Sequence, residues 1–234
     1  MKYSNKTWRA CALCMLAALA MTTGCQNKPA ETADSTNAAT DSVVAESPLD
    51  NAVVRAIMDR RSVRKYKPEP VPKEMLDVIL HCGINAPNAM NEQRWEVRVT
   101  NSKAFIDGVT KVFIESAEND ERVQKLVKNP DFHNMFRNAP TVIFVAGKAD
   151  EKSSPIDCGM LGENIMLAAQ SMGLGTCCLG SAAGFLNSHP GAANYLKQLA
   201  FSDGYELLYA IAIGYPDESP EAKPRDASKI RYIE

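Results

Sequence analysis

The sequence predicts an α+β fold in which a mixed central sheet is flanked by helices. Three observations carry this. Several runs opened by a proline place apolar residues every three or four positions, the spacing of amphipathic helices. Two short runs are strand-like: Glu96 to Thr100 alternates, and Val142 to Ala146 is apolar throughout, as suits a strand buried on both faces. These elements follow one another without a regular strand-helix-strand repeat.

Taken in order, Ser47-Pro48 opens the first helix, with proline near the first helical position where its missing N–H costs little, and Val53, Val54, Ile57 and Met58 give the apolar spacing. Val71-Pro72-Lys73-Glu74 repeats the device. Met75, Leu76, Ile79 and Leu80 then make one stripe, and this second helix ends near Gly83. After the Glu96–Thr100 strand, residues 104–127 are mostly helical in character and carry Phe105, Val109, Phe113 and Ile114. The Val142–Ala146 strand follows. Ser154-Pro155 opens a long helix from about Ile156 to Met172, closed by Gly173-Leu174-Gly175, whose glycines can take the left-handed backbone of a C-cap. Its apolar and small residues lie on more than one side, so it is expected to be packed all round. Strands at Thr176–Leu179 and Leu207–Ile213 complete the sheet, with a short helix at Pro190–Leu199 between them.

The 234 residues divide into three parts. Residues 1–24 read as a lipoprotein signal peptide: Lys2, Lys6 and Arg9 form a basic start, the apolar stretch from Ala10 to Met21 is too short to span a bilayer stably, and Thr22-Thr23-Gly24-Cys25 resembles a bacterial lipobox with Thr22 in place of the usual leucine. Lipidation of Cys25 is expected, which makes the chain an extracytoplasmic, membrane-anchored lipoprotein; an ordinary secretory signal cleaved nearby is the alternative. Residues 25–48 are rich in Ala, Thr, Ser, Asn and Asp and cannot bury enough surface to offset chain entropy, so they read as a flexible tether. Residues 49–234 are enough for one domain with a full core.

Removing Lys2, Lys6 and Arg9 from the 26 basic residues leaves 23 against 28 acids, a net charge of −5, which speaks against nucleic acid as a partner. Cys82, Cys158, Cys177 and Cys178 match no zinc spacing, and the adjacent Cys177 and Cys178 are expected to be packed thiols on opposite sides of a strand. His81, His133 and His189 are scattered without ligand spacing, so no metal is expected.

The most informative stretch is Arg60-Arg61-Ser62-Val63-Arg64-Lys65-Tyr66. Guanidinium groups bind phosphate oxygens bidentately and a serine hydroxyl adds a neutral donor, each charge-assisted hydrogen bond contributing roughly 1.5–3 kcal/mol. Read alone, such a run could equally serve solubility or the helix dipole. Four further segments accompany it in order: Ala86-Pro87-Asn88-Ala89-Met90-Asn91-Glu92-Gln93-Arg94-Trp95, Ala139-Pro140-Thr141-Val142-Ile143-Phe144-Val145, Gly173 to Gly180, and Gly214-Tyr215-Pro216 followed by Lys223-Pro224-Arg225. With these five segments the chain resembles the nitroreductase family of FMN-dependent oxidoreductases from about residue 53 to its end.

The resemblance implies a homodimer with FMN in clefts at the subunit interface, and ping-pong transfer from NAD(P)H or another donor through the flavin to a nitroaromatic, quinone or similar small electrophile. No catalytic side chain is expected, since the cofactor carries the chemistry. By motif match, Arg60, Arg61 and Ser62 anchor the FMN phosphate and ribityl end, and Arg64 reaches the pyrimidine edge, where a fixed cation raises the potential. Lys223 and Arg225 match a C-terminal phosphate grip, with an exposed tail charge as the other reading. Pro87, Asn88, Ala89 and Asn91 match the segment contributed by the second subunit; Arg94 stands where the family usually has proline. Leu179, Gly180 and Ser181 fall where backbone N–H groups face the flavin ring, glycine allowing close approach. Two alternatives share these residues: a non-catalytic flavin-binding lipoprotein, and a reductive dehalogenase or flavin-fragmenting enzyme of the same fold, with residues 115–138 either forming a lid or only bordering the cleft. The tail residues Ile230, Tyr232 and Ile233 need burial, which reaching across a partner would supply.

Overall fold

The structure is a computed structural model that describes residues 51–233. These lie in one compact unit. The first helix, α1 (Ala52–Asp59), starts where the Asn51 side chain accepts from the Val53 and Val54 N–H groups at 3.1 Å each. The start expected at Ser47-Pro48 lies outside the described residues. Helix α2 (Lys73–Ile84) keeps Gly83 inside its last turn, buried, because a Cβ there would sit 2.6 Å from Ile165 of the neighbouring helix. Asn85 closes it by donating to the His81 carbonyl at 2.7 Å.

Strand β1 (Trp95–Thr100) leads into α3 (Lys103–Glu115), capped by the Ser102 hydroxyl. The expected helical run to residue 127 is interrupted: a tight turn at Ser116–Asn119 follows α3, and Asp120 takes an extended backbone and caps a new helix, α4 (Glu121–Val127), through the Arg122 N–H at 2.8 Å. Strand β2 (Thr141–Lys148) is buried on both faces up to its last residue. Helix α5 (Ser154–Ser171) and strand β3 (Gly175–Leu179) follow, then a helix the sequence does not announce, α6 (Gly180–Ser188), the short α7 (Ala193–Gln198) and strand β4 (Tyr205–Gly214).

The sheet order is β1-β2-β4-β3, and all three ladders are antiparallel. A single parallel bridge joins Ser62 to Thr176 on the free edge of β3. One face of the sheet packs Phe144, Leu179, Ala210 and Ala212 against Ile106 and Val109 of α3 and Ala183 and Leu186 of α6. The other packs Ile143, Val145, Ile211 and Ile213 against Ile79 of α2 and Leu161 and Ile165 of α5. At roughly 25 cal/mol per Å2 of apolar surface removed from water, these two layers are what hold the sheet. Helix α5 packs on the sheet and α2 and meets α1 along one flank. Ile156, near its start, is 66% exposed, so the all-round packing expected of this helix is not provided by one chain.

Candidate functional site

The basic stretch leaves α1 and is sewn to the sheet edge. The Val63 N–H donates to the Thr176 carbonyl at 3.0 Å, the Lys67 N–H to Tyr215 at 2.9 Å, and the Asp217 N–H to Lys65 at 2.9 Å. The stretch is thereby held between β3 and the segment after β4. Gly175 makes this possible, because a Cβ there would lie 2.8 Å from the Val63 side chain. The buried Tyr66 hydroxyl donates to the Val63 carbonyl at 2.5 Å, and burial pushes its own ionisation far up.

Within this frame the side chains diverge. Arg60 lies along α5, its Nε 3.8 Å from Glu163 Oε1. Arg61 turns back instead, donating from Nη1 to the Met58 carbonyl at 2.7 Å and the Arg60 carbonyl at 2.9 Å, so it caps the carbonyl end of α1. Ser62 occupies the bridge to Thr176, and its carbonyl accepts from Arg64 Nη1 at 2.9 Å. The Arg64 backbone N–H donates to the Glu218 carboxylate. The buried Cys177 thiol reports what gathers here: burial raises its ionisation, and the guanidiniums of Arg64, Arg137 and Arg60 oppose that rise. Arg137 is a cation of this group that the sequence motifs do not mark. Cys178 faces the other side of the strand, exposed, and both thiols are free.

At the end of the same strand, Leu179 is buried while Gly180 and Ser181 are exposed in the first turn of α6. Leu179 supplies no side-chain cap, so the first N–H groups of this helix have no intrahelical partner and carry its positive pole. A Cβ on Gly180 would meet nothing of this chain within 4 Å. The space in front of these donors is open.

Pro87, Asn88, Ala89 and Asn91 lie in the α2–β1 loop. Met90, Asn91 and Gln93 have φ of 54°, 54° and 50°, a run of left-handed residues that only a firm frame sustains. That frame is polar. The Ala89 N–H donates to both oxygens of Asp157, a 3% exposed carboxylate on α5, at 3.3 Å each, and Asn88 Oδ1 accepts from the Gln93 N–H at 2.9 Å. Arg94 replaces the family's proline as an anchor by ion-pairing with Glu92 and, at 2.8 Å, with Glu151. Asp157 has no sequence signal beyond its place in the first turn of a helix. The loop and the basic stretch are tied to α5 at Asp157 and Glu163, about 9 Å apart along that helix.

Lys223 and Arg225 are exposed in the extended tail, where Arg225 Nη1 donates to the Lys223 carbonyl at 3.2 Å. A cavity of about 700 Å3 opens beyond Lys65 and Tyr66 toward Asn101, Lys103 and Pro140, and none of the candidate flavin-binding residues lines it. The motif residues instead border an open face made by the sheet edge, the start of α6 and the flank of α5. Guanidiniums beside a free helix N-terminus can hold an anion and polarise the edge of a planar group.

The chain is 28% identical over 186 residues to the NADPH-flavin oxidoreductase of Vibrio harveyi, covering 75% of this chain and 70% of that one. A nitroreductase from Desulfitobacterium hafniense, crystallised with bound FMN, superposes with a TM-score of 0.70 at 26% identity over 79% of this chain and 100% of its own. An FMN-dependent nitroreductase from Clostridium difficile gives 0.67 at 25% identity, covering 78% and 99%. The Nitroreductase family model matches residues 57–215. With more than half its length matched in this way, the chain belongs to the nitroreductase family.

Proposed function

We propose that the chain is an FMN-dependent oxidoreductase that takes electrons from NAD(P)H or another donor and delivers them to a small electrophile such as a nitroaromatic or quinone, the substrates taking turns in one cleft. The observation that carries this is the attachment of the basic stretch with Arg60, Ser62 and Arg64 to Thr176 of β3, the strand that runs on into the uncapped start of α6. The residues present fit FMN: the cations suit its phosphate and pyrimidine edge, and the open space a Cβ on Gly180 would enter suits a ring lying against main chain. When bound, FMN supplies the two-electron chemistry. Arg60 and Ser62 hold its phosphate end, Arg64 stabilises negative charge at the pyrimidine edge, and the Gly180 and Ser181 N–H groups orient the ring.

The reading includes a homodimer. Supporting it, Val53, Ile57 and Met58 of α1 are 67%, 51% and 67% exposed, and Ile156, Ile230, Tyr232 and Ile233 add apolar surface that one chain leaves uncovered. A second copy would bring its 87–91 loop, and the tail with Lys223 and Arg225, to the basic stretch. The reading also includes a lipid anchor at Cys25, supported by the basic start and lipobox-like sequence; Cys25 lies outside the described residues. Loss of membrane partitioning in Cys25→Ala tests it.

The central experiment is anaerobic. The purified chain is expected to carry flavin absorbance that NADH or NADPH bleaches and a nitroaromatic or quinone restores. A protein that takes up no FMN overturns the proposal. Bound flavin that neither nucleotide bleaches and that reduces no acceptor leaves the flavin-carrying alternative in its place.

A further inference from the structure

Beside the proposed flavin edge is a second, smaller cleft of about 120 Å3, bordered by Arg64 and Lys65 on one side and by the segment from Leu126 to Asn138 on the other. It is too small for a nucleotide and large enough for a carboxylate or phosphate group. Its charge is unbalanced. Arg64, Lys65 and Arg137 line it against one carboxylate, Asp131, whose 3.6 Å pair with Lys65 is exposed on both sides and worth little.

Arg137 is the decisive residue. It is half-buried, yet among the described residues its guanidinium has no carboxylate partner and no hydrogen-bond acceptor. Water reaches its guanidinium nitrogens, so their donors are open to a ligand oxyanion that enters the cleft. Nor is its position accidental. Arg137 and Asn138 have φ of 59° and 63°, and two asparagines brace this left-handed pair: Asn138 Oδ1 accepts from the His133 and Asn134 N–H groups at 2.8 and 2.9 Å, and Asn134 Oδ1 from those of Phe136 and Asn138 at 2.9 and 3.0 Å. Strain of this kind persists where surrounding bonds over-determine it, and here it delivers a guanidinium to a fixed place. Leu126, Phe132 and Met135 give the cleft an apolar wall suited to an aromatic ring.

We propose that the cleft between Arg64 and Arg137 is an oxyanion subsite that selects electron acceptors bearing a carboxylate or phosphate group. The acceptor half rests on the oxidoreductase reading; the anion site itself does not. The test compares wild type, Arg137→Gln and Arg137→Lys with two probes. Inorganic phosphate is expected to raise the melting temperature of the wild type saturably, with affinity about tenfold weaker in Arg137→Gln and largely kept in Arg137→Lys. The ratio of kcat/KM for 4-nitrobenzoate to that for nitrobenzene is expected to fall about tenfold in Arg137→Gln and to recover in Arg137→Lys. Equal phosphate response in wild type and Arg137→Gln overturns the site. Phosphate binding that depends on Arg137 with an unchanged acceptor ratio keeps the site, assigns it to free oxyanion and overturns the acceptor half. Loss of FMN from Arg137→Gln makes Arg137 part of the flavin grip and overturns the subsite. A chain that never binds FMN fails the proposed function while the phosphate arm still reads the cleft.

Discussion

Arg60 carries two attachments of unequal strength, and their difference makes it the best single probe. Its pair with Glu163 is 3.8 Å long and Glu163 is 47% exposed, so losing it costs at most about 1 kcal/mol of stability. A charge-assisted bond to a phosphate is worth about 1.5–3 kcal/mol. Arg60→Ala is therefore expected to weaken FMN binding about 10- to 100-fold while the melting temperature of the flavin-free protein moves by a few degrees at most; flavin fluorescence titration and thermal unfolding separate the two. Unchanged flavin affinity would remove the phosphate role. Arg225→Ala should act in the same direction more mildly. The legibility of the site follows from the same chemistry: Arg60, Ser62 and Arg64 stand out because they fall within five residues, and Gly180 because it ends a β-like run. Arg61 looks equivalent to its neighbours in sequence, and only the structure shows it committed to the carbonyls of α1. Arg137 and Asp157 carry no local signal, since a lone arginine in a polar loop and an acid in a helix's first turn are ordinary until their partners are known.

Among the elements, β3 does most to position the site, and two of its contacts can be tested. Gly175→Ala would drive a methyl group into Val63 and push the basic stretch off the strand edge. Reduced flavin affinity is expected together with a loss of about 1–3 kcal/mol of stability, read by urea unfolding; full affinity would mean that Arg60 and Arg64 do not depend on the Val63–Thr176 bond. The α5–sheet contact is sensitive to alkali. Burial pushes the Cys158 thiol up to about 11, and the Tyr209 hydroxyl, which donates to the Cys158 carbonyl, is also raised by burial. A raised folded value means stability present in full below the ordinary thiol value near 9 and lost as pH climbs through about 11. Urea midpoints should fall across that window, and Cys158→Ala should flatten part of the slope; an identical slope would place the alkaline loss elsewhere. Most elements were legible because proline starts, caps and apolar spacing agreed. Helix α6 was not, because Gly180 and Gly184 dilute a weak pattern and its formation rests on Ala182, Ala183 and Leu186 finding the sheet. The break before α4 is hidden in the sequence for the opposite reason: helical spacing runs through it, and only the Asp120 cap divides it.

At the scale of the whole molecule, the two layers on the sheet account for the core but leave a coherent remainder. Helix α1 has no buried residue at all, although its apolar positions repeat with helical spacing, and the tail runs extended with Ile230, Tyr232 and Ile233 in solvent. The sequence hints at this through the tail's unplaced apolar residues, but the apolar spacing of α1 shows only that a face wants covering, without showing by what. An eight-residue helix with no buried residue is marginal in water, so a cover supplied by a second copy would stabilise α1 and the basic stretch that continues from it in one step. Ile57→Glu, which sets a charge in the middle of that face, is expected to convert the proposed dimer to monomer in light scattering and to lower FMN retention in parallel, while circular dichroism of the sheet and of α2 to α7 stays close to wild type. Flavin loss should then be reversed by raising protein concentration, since association and cofactor binding are linked by mass action. A chain that stays dimeric with glutamate at position 57 places the interface away from α1, and a monomer that keeps its flavin shows that one chain alone completes the site.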